Sequence, residues 1–403
     1  MEDGQACPVR STGGSGTLIR KIMTLCDTSN DIKKEQSARL SKNYSIHKYI
    51  LAVIGMAVAL IYLVFMAIFG SNILKYFLLL ITTNQYILIA LYVFVFTIIF
   101  DLITIPLSFY GGFILEHIFK LSNQTLFGWV KDELKKFFIS LVLIIFLVQI
   151  IYIFLRNFPN SWWVFTTIFW IFFSIIMAKL APVLIFPLFY KSVPIDKEDI
   201  KEGLLSLAEG TGINIEGVYK INLSKNTKKA NAALAGLGST RRVLLSDTLI
   251  DSFSLAEIKS VFAHELGHHV YHHIRKLLII GSISGFAGFA LCHYVLTKAI
   301  TILGYQYIHD IAAFPILCLV LGAFGFIIMP IQNAYSRRLE RECDRYAIKK
   351  TNNPEAFIST MDKLAEQNLA DRNPNRLIEI LFYDHPPISK RIEMAREEIK
   401  LKE

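Results

Sequence analysis

Long apolar stretches alternate with polar segments along this chain. A helix needs roughly 20 consecutive apolar residues to cross a bilayer, because hydrocarbon offers its backbone groups no hydrogen-bond partner. The stretches that meet this length are residues 49–70, 86–109, 137–155, 162–186, 277–296 and 311–331. A shorter apolar run, residues 73–81, is too brief to span and is expected at the membrane interface. The pattern therefore predicts about six transmembrane helices.

The polar segments predict how the chain is organised. Residues 1–42 lack an apolar run of the signal-peptide type and are expected to form a polar, disordered tail. The further predicted parts are four spans in residues 43–190, a polar segment in 191–276, two spans in 277–332 and a second polar segment in 333–403. The expected fold class is an all-α multi-span membrane protein with a small α+β domain outside the bilayer.

The first polar segment contains both helix and strand patterns. Apolar spacing predicts a helix at residues 197–208, and short aliphatic or β-branched runs predict strands at 218–223 and 242–245. Ser254 and Glu257 form a capping-box pattern, and apolar residues recur at helical spacing after it. A helix is therefore expected from about Ser254 onward.

Composition and charge support a membrane protein and limit its partners. Of the 403 residues, 53% are hydrophobic and 19% charged, and the mean hydropathy is +0.45, which excludes an ordinary soluble globule. The net charge is +9, but the basic residues are scattered between apolar blocks, so no nucleic-acid partner is expected. The 5 cysteines lie far apart without a CxxC pair, so a disulfide framework is not expected.

Lys and Arg are concentrated before the first predicted span and after the second. The loops on the other side carry little beyond Lys75, Arg156 and Lys298. The positive-inside rule therefore places both termini in the cytoplasm. Both polar segments fall on that same side, so two distant parts of the sequence can share one site.

His264-Glu265-Leu266-Gly267-His268 is an H-E-x-x-H motif on the helix that follows Ser254. Residues four apart lie on one helix face, so both imidazoles can bind a single ion, and we expect one zinc ion per chain. Glu265 is placed to act as a general acid/base on water without being a ligand. A chance occurrence is the competing interpretation. It is disfavoured because polar residues at the foot of a span are costly.

A catalytic zinc needs a third protein ligand, and Glu340 is the best candidate. It follows the last span, on the same predicted side as the histidines. Asp344 lies one turn further along and can accept a hydrogen bond from a ligating imidazole. On spacing alone, an ordinary charged helix next to the membrane explains these residues equally well. Cys343 between them is expected to be packed and not to bind metal.

Three more histidines, His269, His272 and His273, follow the motif. They repeat the four-residue spacing, but neither pair has a glutamate directly after its first histidine. We interpret them as polar residues that flank a span at the membrane interface.

Three motifs in order resemble those of the integral-membrane type I CaaX prenyl proteases, which are gluzincin zinc metalloproteases, and of their shorter bacterial relatives. They are the H-E-x-x-H entering a span, Ser336-Arg337-x-x-Glu340-x-x-x-Asp344 after the last span, and His385-Pro386-Pro387 with Arg391. The resemblance covers most of the chain from about residue 43. Differences include Cys343, where the family usually has Ala, and a polar tail where larger eukaryotic members carry an additional span.

The resemblance implies roles for individual residues. Glu340 would be the third zinc ligand and Asp344 would hydrogen-bond a ligand. His385 and Arg391 would hold the substrate or the developing oxyanion. Asn231 and Ala232 would lie on an edge strand that pairs with an extended peptide. Without the resemblance, His385 would be a loop histidine and Arg391 a solvated charge.

The sequence therefore predicts a membrane-embedded zinc metalloendopeptidase, with a peptide or protein substrate and the lipid bilayer as its partners. The resemblance implies removal of the C-terminal tripeptide from prenylated proteins, in a bacterial cell membrane. Quality control of membrane proteins, as in HtpX-like proteases, is the alternative. A site-2 type protease is disfavoured because its third ligand is expected within a span. A non-catalytic scaffold or transporter is disfavoured because closed zinc sites usually have four protein ligands.

Overall fold

The computed structural model describes residues 16–401 except 237, 239, 240 and 306, with side chains from Glu35 onward apart from that of Leu303. The described chain is mostly helical, with one small sheet. Residues 1–15 of the predicted tail lie outside the described residues.

Six helices are long and apolar enough to cross a membrane, within the residues described. They are Glu35–Leu79, Gln85–Ile118, Leu126–Asn157, Trp162–Phe189, His273–Ile302 and Ile311–Thr351. The predicted multi-span membrane fold is therefore confirmed, although every helix runs beyond its predicted apolar stretch.

The elements of the first four spans are α1 (Gly16–Phe65), α2 (Ser71–Leu79), α3 (Gln85–Phe109), α4 (Leu115–Ile118), α5 (Leu126–Asn157), α6 (Trp162–Leu180) and α7 (Phe186–Phe189). Short π-helical segments, Met66–Gly70, Tyr110–Ile114 and Ala181–Ile185, join the helices within three of these spans.

The amino end differs from the sequence-based expectation. Residues 16–42 of the predicted disordered tail form the start of α1. Neither Gly nor Pro occurs between residues 17 and 54, and Lys, Glu, Arg and Leu favour helix, so nothing interrupts the first span on this side. The short apolar run predicted at the interface lies in α2, which continues the same span.

The first polar segment folds into a small α+β domain. Its elements are β1 (Ser192–Pro194), α8 (Glu198–Ala208), β2 (Gly217–Ile221), β3 (Ala232–Ala235), β4 (Arg242–Ser246), α9 (Asp247–Ser252) and α10 (Leu255–Val270). The strand order is β1-β2-β4-β3, with β2 and β4 parallel and the other pairs antiparallel. The predicted helix and strands are thus confirmed within a few residues, and β3 is an edge strand.

The remaining elements are α11 (His273–Leu303), a 3₁₀ turn at Ile311–Ala313, α12 (Phe314–Thr351), α13 (Pro354–Gln367), α14 (Arg376–Phe382) and α15 (Ile388–Lys400). Apolar side chains of α8, α10 and the sheet form the core of the polar domain, among them Leu204, Leu245 and Leu266. Helix α11 begins three residues after α10 ends, and α12 continues from the last candidate span to Thr351, so both helices connect the spans to this domain.

Ion pairs and hydrogen bonds join the two polar segments to one end of the first two spans. Glu116 pairs with Lys48 at 2.8 Å and with Lys229 at 2.9 Å, and the Tyr49 and Tyr383 hydroxyls lie 2.7 Å apart. Both polar segments therefore lie at the same end of the helix bundle.

Candidate metal centre and active site

Helix α10 carries both histidines of the motif on one face. The helix begins with the predicted capping box, in which the Ser254 and Glu257 side chains each bond the other's backbone N–H. Gly267 lets α12 approach closely, because a Cβ atom at this position would lie 3.2 Å from both Cα and Sγ of Cys343. The missing side chain of Gly267 thus brings α12 within reach of the two imidazoles.

His264, His268 and Glu340 converge on one point. The Nε2 atom of His264 lies 3.1 Å from one carboxylate oxygen of Glu340, and Nε2 of His268 lies 3.2 Å from the other. His264 and Glu340 are buried and His268 is half-buried. The structure therefore brings together the three predicted ligands, although 72 positions separate His268 from Glu340.

The chemistry of this cluster fits a metal ion. One ligand atom from each residue lies within 4.8 Å of the others. Oε2 of Glu340 is buried without a hydrogen-bond partner among the described residues, which is costly unless a cation satisfies it. Burial alone would lower the pKa of His264, but the Asp344 and Glu340 carboxylates raise it to about 9. The site thus stabilises positive charge at the point where the ligand atoms meet.

Asp344 lies beside His264. Its Oδ1 lies 2.8 Å from Nδ1 of His264, so in a neutral imidazole Nδ1–H would donate to Asp344 and leave Nε2 free for a metal. Arg391 lies behind Asp344 and donates to both carboxylate oxygens, at 2.9 and 2.5 Å. The Arg391 guanidinium is buried against Asp344, and its expected contact with a substrate or oxyanion stays a prediction.

His385 lies beside the cluster, and Glu265 directly follows the ligand His264 on α10. Glu265 is half-buried, and its carboxylate has no hydrogen bond within the part of the chain described. Nε2 of His385 lies 3.3 Å from Oε2 of Glu340, and its Nδ1 lies 2.8 Å from the Asp384 carboxylate. His385 is exposed. A carboxylate and an imidazole are thus both available to a molecule bound at this site.

The segment that carries His385 is fixed by α12. Arg337 donates from Nη1 to the backbone oxygens of Glu379 at 2.9 Å and Tyr383 at 2.5 Å. The sequence alone indicated no role for Arg337 or Asp384. The only available signal was that Arg337 belongs to the Ser336-Arg337 motif and that Asp384 precedes His385.

Ala232 begins the edge strand β3, and Asn231 directly precedes it. The Ser246 N–H donates to the Asn231 carbonyl at 3.0 Å, so by strand alternation residues 232 and 234 direct their backbone groups away from β4. The Asn231 side chain accepts from the Ala232 N–H at 2.9 Å. The carbonyl of Ala232 therefore points to the side of the sheet where an added strand would pair.

His269 and His273 are buried within the protein, and their expected position at the membrane interface stays a prediction. His269 donates from Nε2 to the Leu234 carbonyl at 2.9 Å and accepts from Nε of Arg241 at 3.1 Å. Burial lowers the pKa of His269. A neutral His269 thus ties β3 to α10. His272 is exposed.

His273 lies next to His268 and Cys343. Its Nδ1 is 3.2 Å from Nδ1 of His268 and 3.4 Å from Sγ of Cys343, and its Nε2 is 3.2 Å from Oε2 of Glu342. Cys343 is fully buried, as its predicted packing role requires. Spacing on a helix could not reveal this cluster, because α10 ends before His273.

Two family models match the chain. The model described as peptidase family M48 matches residues 194–399, which include both polar segments and the last two spans. The model described as the CAAX prenyl protease N-terminal region, with five membrane helices, matches residues 20–191. Four candidate spans lie in that stretch among the residues described.

Relatives and a solved structure agree with these matches. The chain is 30% identical over 311 residues to the uncharacterized metalloprotease YhfN of Bacillus subtilis, covering 76% of this chain and 73% of that protein. It is 28% identical over 312 residues to CAAX prenyl protease 1 of Saccharomyces cerevisiae, covering 72% and 68%. The crystal structure of S. mikatae Ste24p has the same fold, with a TM-score of 0.81, 23% identity and 89% of each chain covered. The chain therefore belongs to peptidase family M48 and is a multi-pass membrane metalloprotease of the CaaX prenyl protease family.

Proposed function

We propose that this protein is a zinc endopeptidase whose metal is held by His264, His268 and Glu340. The observation that carries the proposal is the convergence of two imidazole nitrogens on the buried Glu340 carboxylate, whose Oε2 accepts no hydrogen bond from the described residues. Two histidines and a glutamate are a common ligand set of catalytic zinc, which keeps a fourth position open. One zinc ion per chain is expected.

The residues around the cluster have distinct roles in peptide hydrolysis. When bound, zinc supplies a Lewis acid that activates water and polarises the peptide carbonyl. Glu265, which has no hydrogen bond to the described residues, takes a proton from the attacking water and returns it to the leaving amine. His385, oriented by Asp384, donates a hydrogen bond to the developing oxyanion. Arg391 acts through Asp344 as a positioning residue.

The substrate is an extended peptide that pairs with β3 beside Asn231 and Ala232. The outward carbonyl of Ala232 supports this mode, since an added strand binds through backbone hydrogen bonds. The names of relatives in yeast, plants and animals, CAAX prenyl protease 1 or its homologue, favour a prenylated C-terminal peptide as the substrate class. The asymmetry of basic residues favours a cytoplasmic site, and the resemblance to shorter bacterial members favours a bacterial inner membrane.

The test of the catalytic assignment is Glu265→Gln, a substitution of similar shape. We expect peptidase turnover to fall by about 10²–10⁴-fold, the usual contribution of a general acid/base. Zinc content, measured by atomic absorption, should stay near one per chain, whereas His264→Ala should lose the metal. Wild-type turnover in metal-loaded Glu265→Gln would contradict the proposal.

The substrate class has its own experiment. Purified protein is incubated with a farnesylated CaaX peptide and with an unmodified membrane-protein fragment, each with and without a chelator. We expect chelator-sensitive release of the C-terminal tripeptide from the first. Cleavage of the second alone would replace the prenyl-peptide assignment by a quality-control function.

A further inference from the structure

The group that can accept a hydrogen bond from Nδ1–H differs between His264 and His268. Zinc binding through Nε2 leaves the proton of a neutral imidazole on Nδ1, and that N–H needs an acceptor. For His264 the acceptor is the Asp344 carboxylate. For His268 the atom that faces Nδ1 is Nδ1 of His273, at 3.2 Å.

The contacts of His273 determine which way the hydrogen bonds run. If Nδ1 of His273 accepts from His268, the His273 proton must lie on Nε2. That Nε2 lies 3.2 Å from Oε2 of Glu342, so it has a carboxylate to donate to. Lys276 at 3.4 Å and Arg338 at 3.7 Å provide positive charge on either side of Glu342. The three side chains therefore have one consistent set of donors and acceptors.

The backbone explains how a residue five positions after His268 reaches it. On a continuous helix, five residues turn the chain by about 500°, so the two side chains would be roughly 140° apart. Here α10 ends at Val270 and α11 begins at His273, with His272 between them in the left-handed conformation at φ 56°. The break in the helix directs His273 back toward His268.

We propose that His273 is a positioning residue, which together with Glu342 fixes the tautomer and ring orientation of the zinc ligand His268. The inference rests on the proposed zinc site and extends it to residues with no contact to the metal. His273 is also the first residue of a candidate membrane span, so that span would help to position a metal ligand. Asp344 would then orient His264 directly, and Glu342 would orient His268 through His273.

The experiment measures zinc affinity by competition with a chromophoric chelator in detergent micelles. In His273→Phe, which removes the acceptor, we expect affinity to fall by about 10–100-fold, the usual effect of losing such a partner. His273→Asn keeps an acceptor close to the place of Nδ1 and should recover most of the loss. Glu342→Gln should give an intermediate loss. His272→Asn, at the exposed neighbouring position, should bind zinc as the wild type does.

Several readouts separate this role from a general loss of structure. The thermal unfolding of the metal-free variants should match that of the metal-free wild type, while the visible spectrum of the cobalt-substituted His273→Phe protein should change. Unchanged zinc affinity in His273→Phe would overturn the inference and leave the proposed function standing. Activity in metal-loaded Glu265→Gln would defeat the proposed function instead. Two zinc ions in the wild type and one in Cys343→Ala would also overturn the inference, because His268, His273 and Cys343 would then hold a second metal.

Discussion

Arg391 shows how one contact changes the expected role of a residue. The sequence places it near the end of the chain, where a charge usually lies in solvent, and the resemblance assigned it to the substrate. Its guanidinium is instead buried against Asp344, which is itself fully buried. No spacing rule could predict this pair, because 47 positions separate the two residues.

The buried Arg391–Asp344 pair predicts that substitution of Arg391 destabilises the fold, which a substrate-binding role does not predict. Arg391→Met leaves the Asp344 carboxylate buried without its partner, and breaking such a pair costs about 3–5 kcal/mol. We expect the metal-free variant to unfold at a clearly lower temperature. Arg396→Met on the same helix removes an exposed charge and should have little effect. If Arg391→Met raised KM without changing the unfolding temperature, Arg391 would be a substrate residue.

The close approach of α10 and α12 is the feature that completes the site at the scale of elements. Sequence periodicity predicted α10, its capping box and the face that carries His264 and His268. It could not predict that the two helices make contact at Gly267, because glycine has no apolar side chain and adds nothing to a hydrophobic pattern. Only the packing of α12 against α10 makes Glu340 a neighbour of the histidines.

Gly267→Ala tests this contact. In an exposed helix the substitution would stabilise by about 1 kcal/mol, but here the added Cβ would lie 3.2 Å from the backbone of Cys343. We expect α10 and α12 to move apart and zinc affinity to fall at least tenfold, measured by chelator competition. Gly281→Ala in α11, where nothing lies within 4 Å of the added atom, is the matched control. Equal affinities in the two variants would contradict the proposed role of Gly267.

At the scale of the whole molecule, the sequence predicted the number of spans and the common side of both polar segments. Those features follow from the cost of burying polar groups in hydrocarbon, which acts on each stretch independently. Tertiary contacts such as Tyr49 with Tyr383 and Glu116 with Lys229 join distant segments through single pairs. The local sequence pattern does not predict which distant residues form these pairs.

Helix α12 continues without a break from the bilayer to the metal centre, with Pro330 inside it. Glu340 follows Pro330 by ten residues, or about 15 Å along the axis, so a bend of roughly 10° at the proline would displace the ligand by about 2.5 Å. That shift exceeds a zinc–oxygen bond of about 2 Å.

A mismatched bilayer tilts or bends the helices it holds, so we predict that lipid thickness affects the metal centre through α12. Reconstituted into phosphatidylcholine vesicles of increasing acyl length, the protein should show a maximum of peptidase activity at one thickness. Pro330→Leu, with a stiffer α12, should broaden that maximum. A flat profile for the wild type would contradict this coupling. We therefore expect the lipid to influence the zinc coordination geometry as well as to solvate the spans.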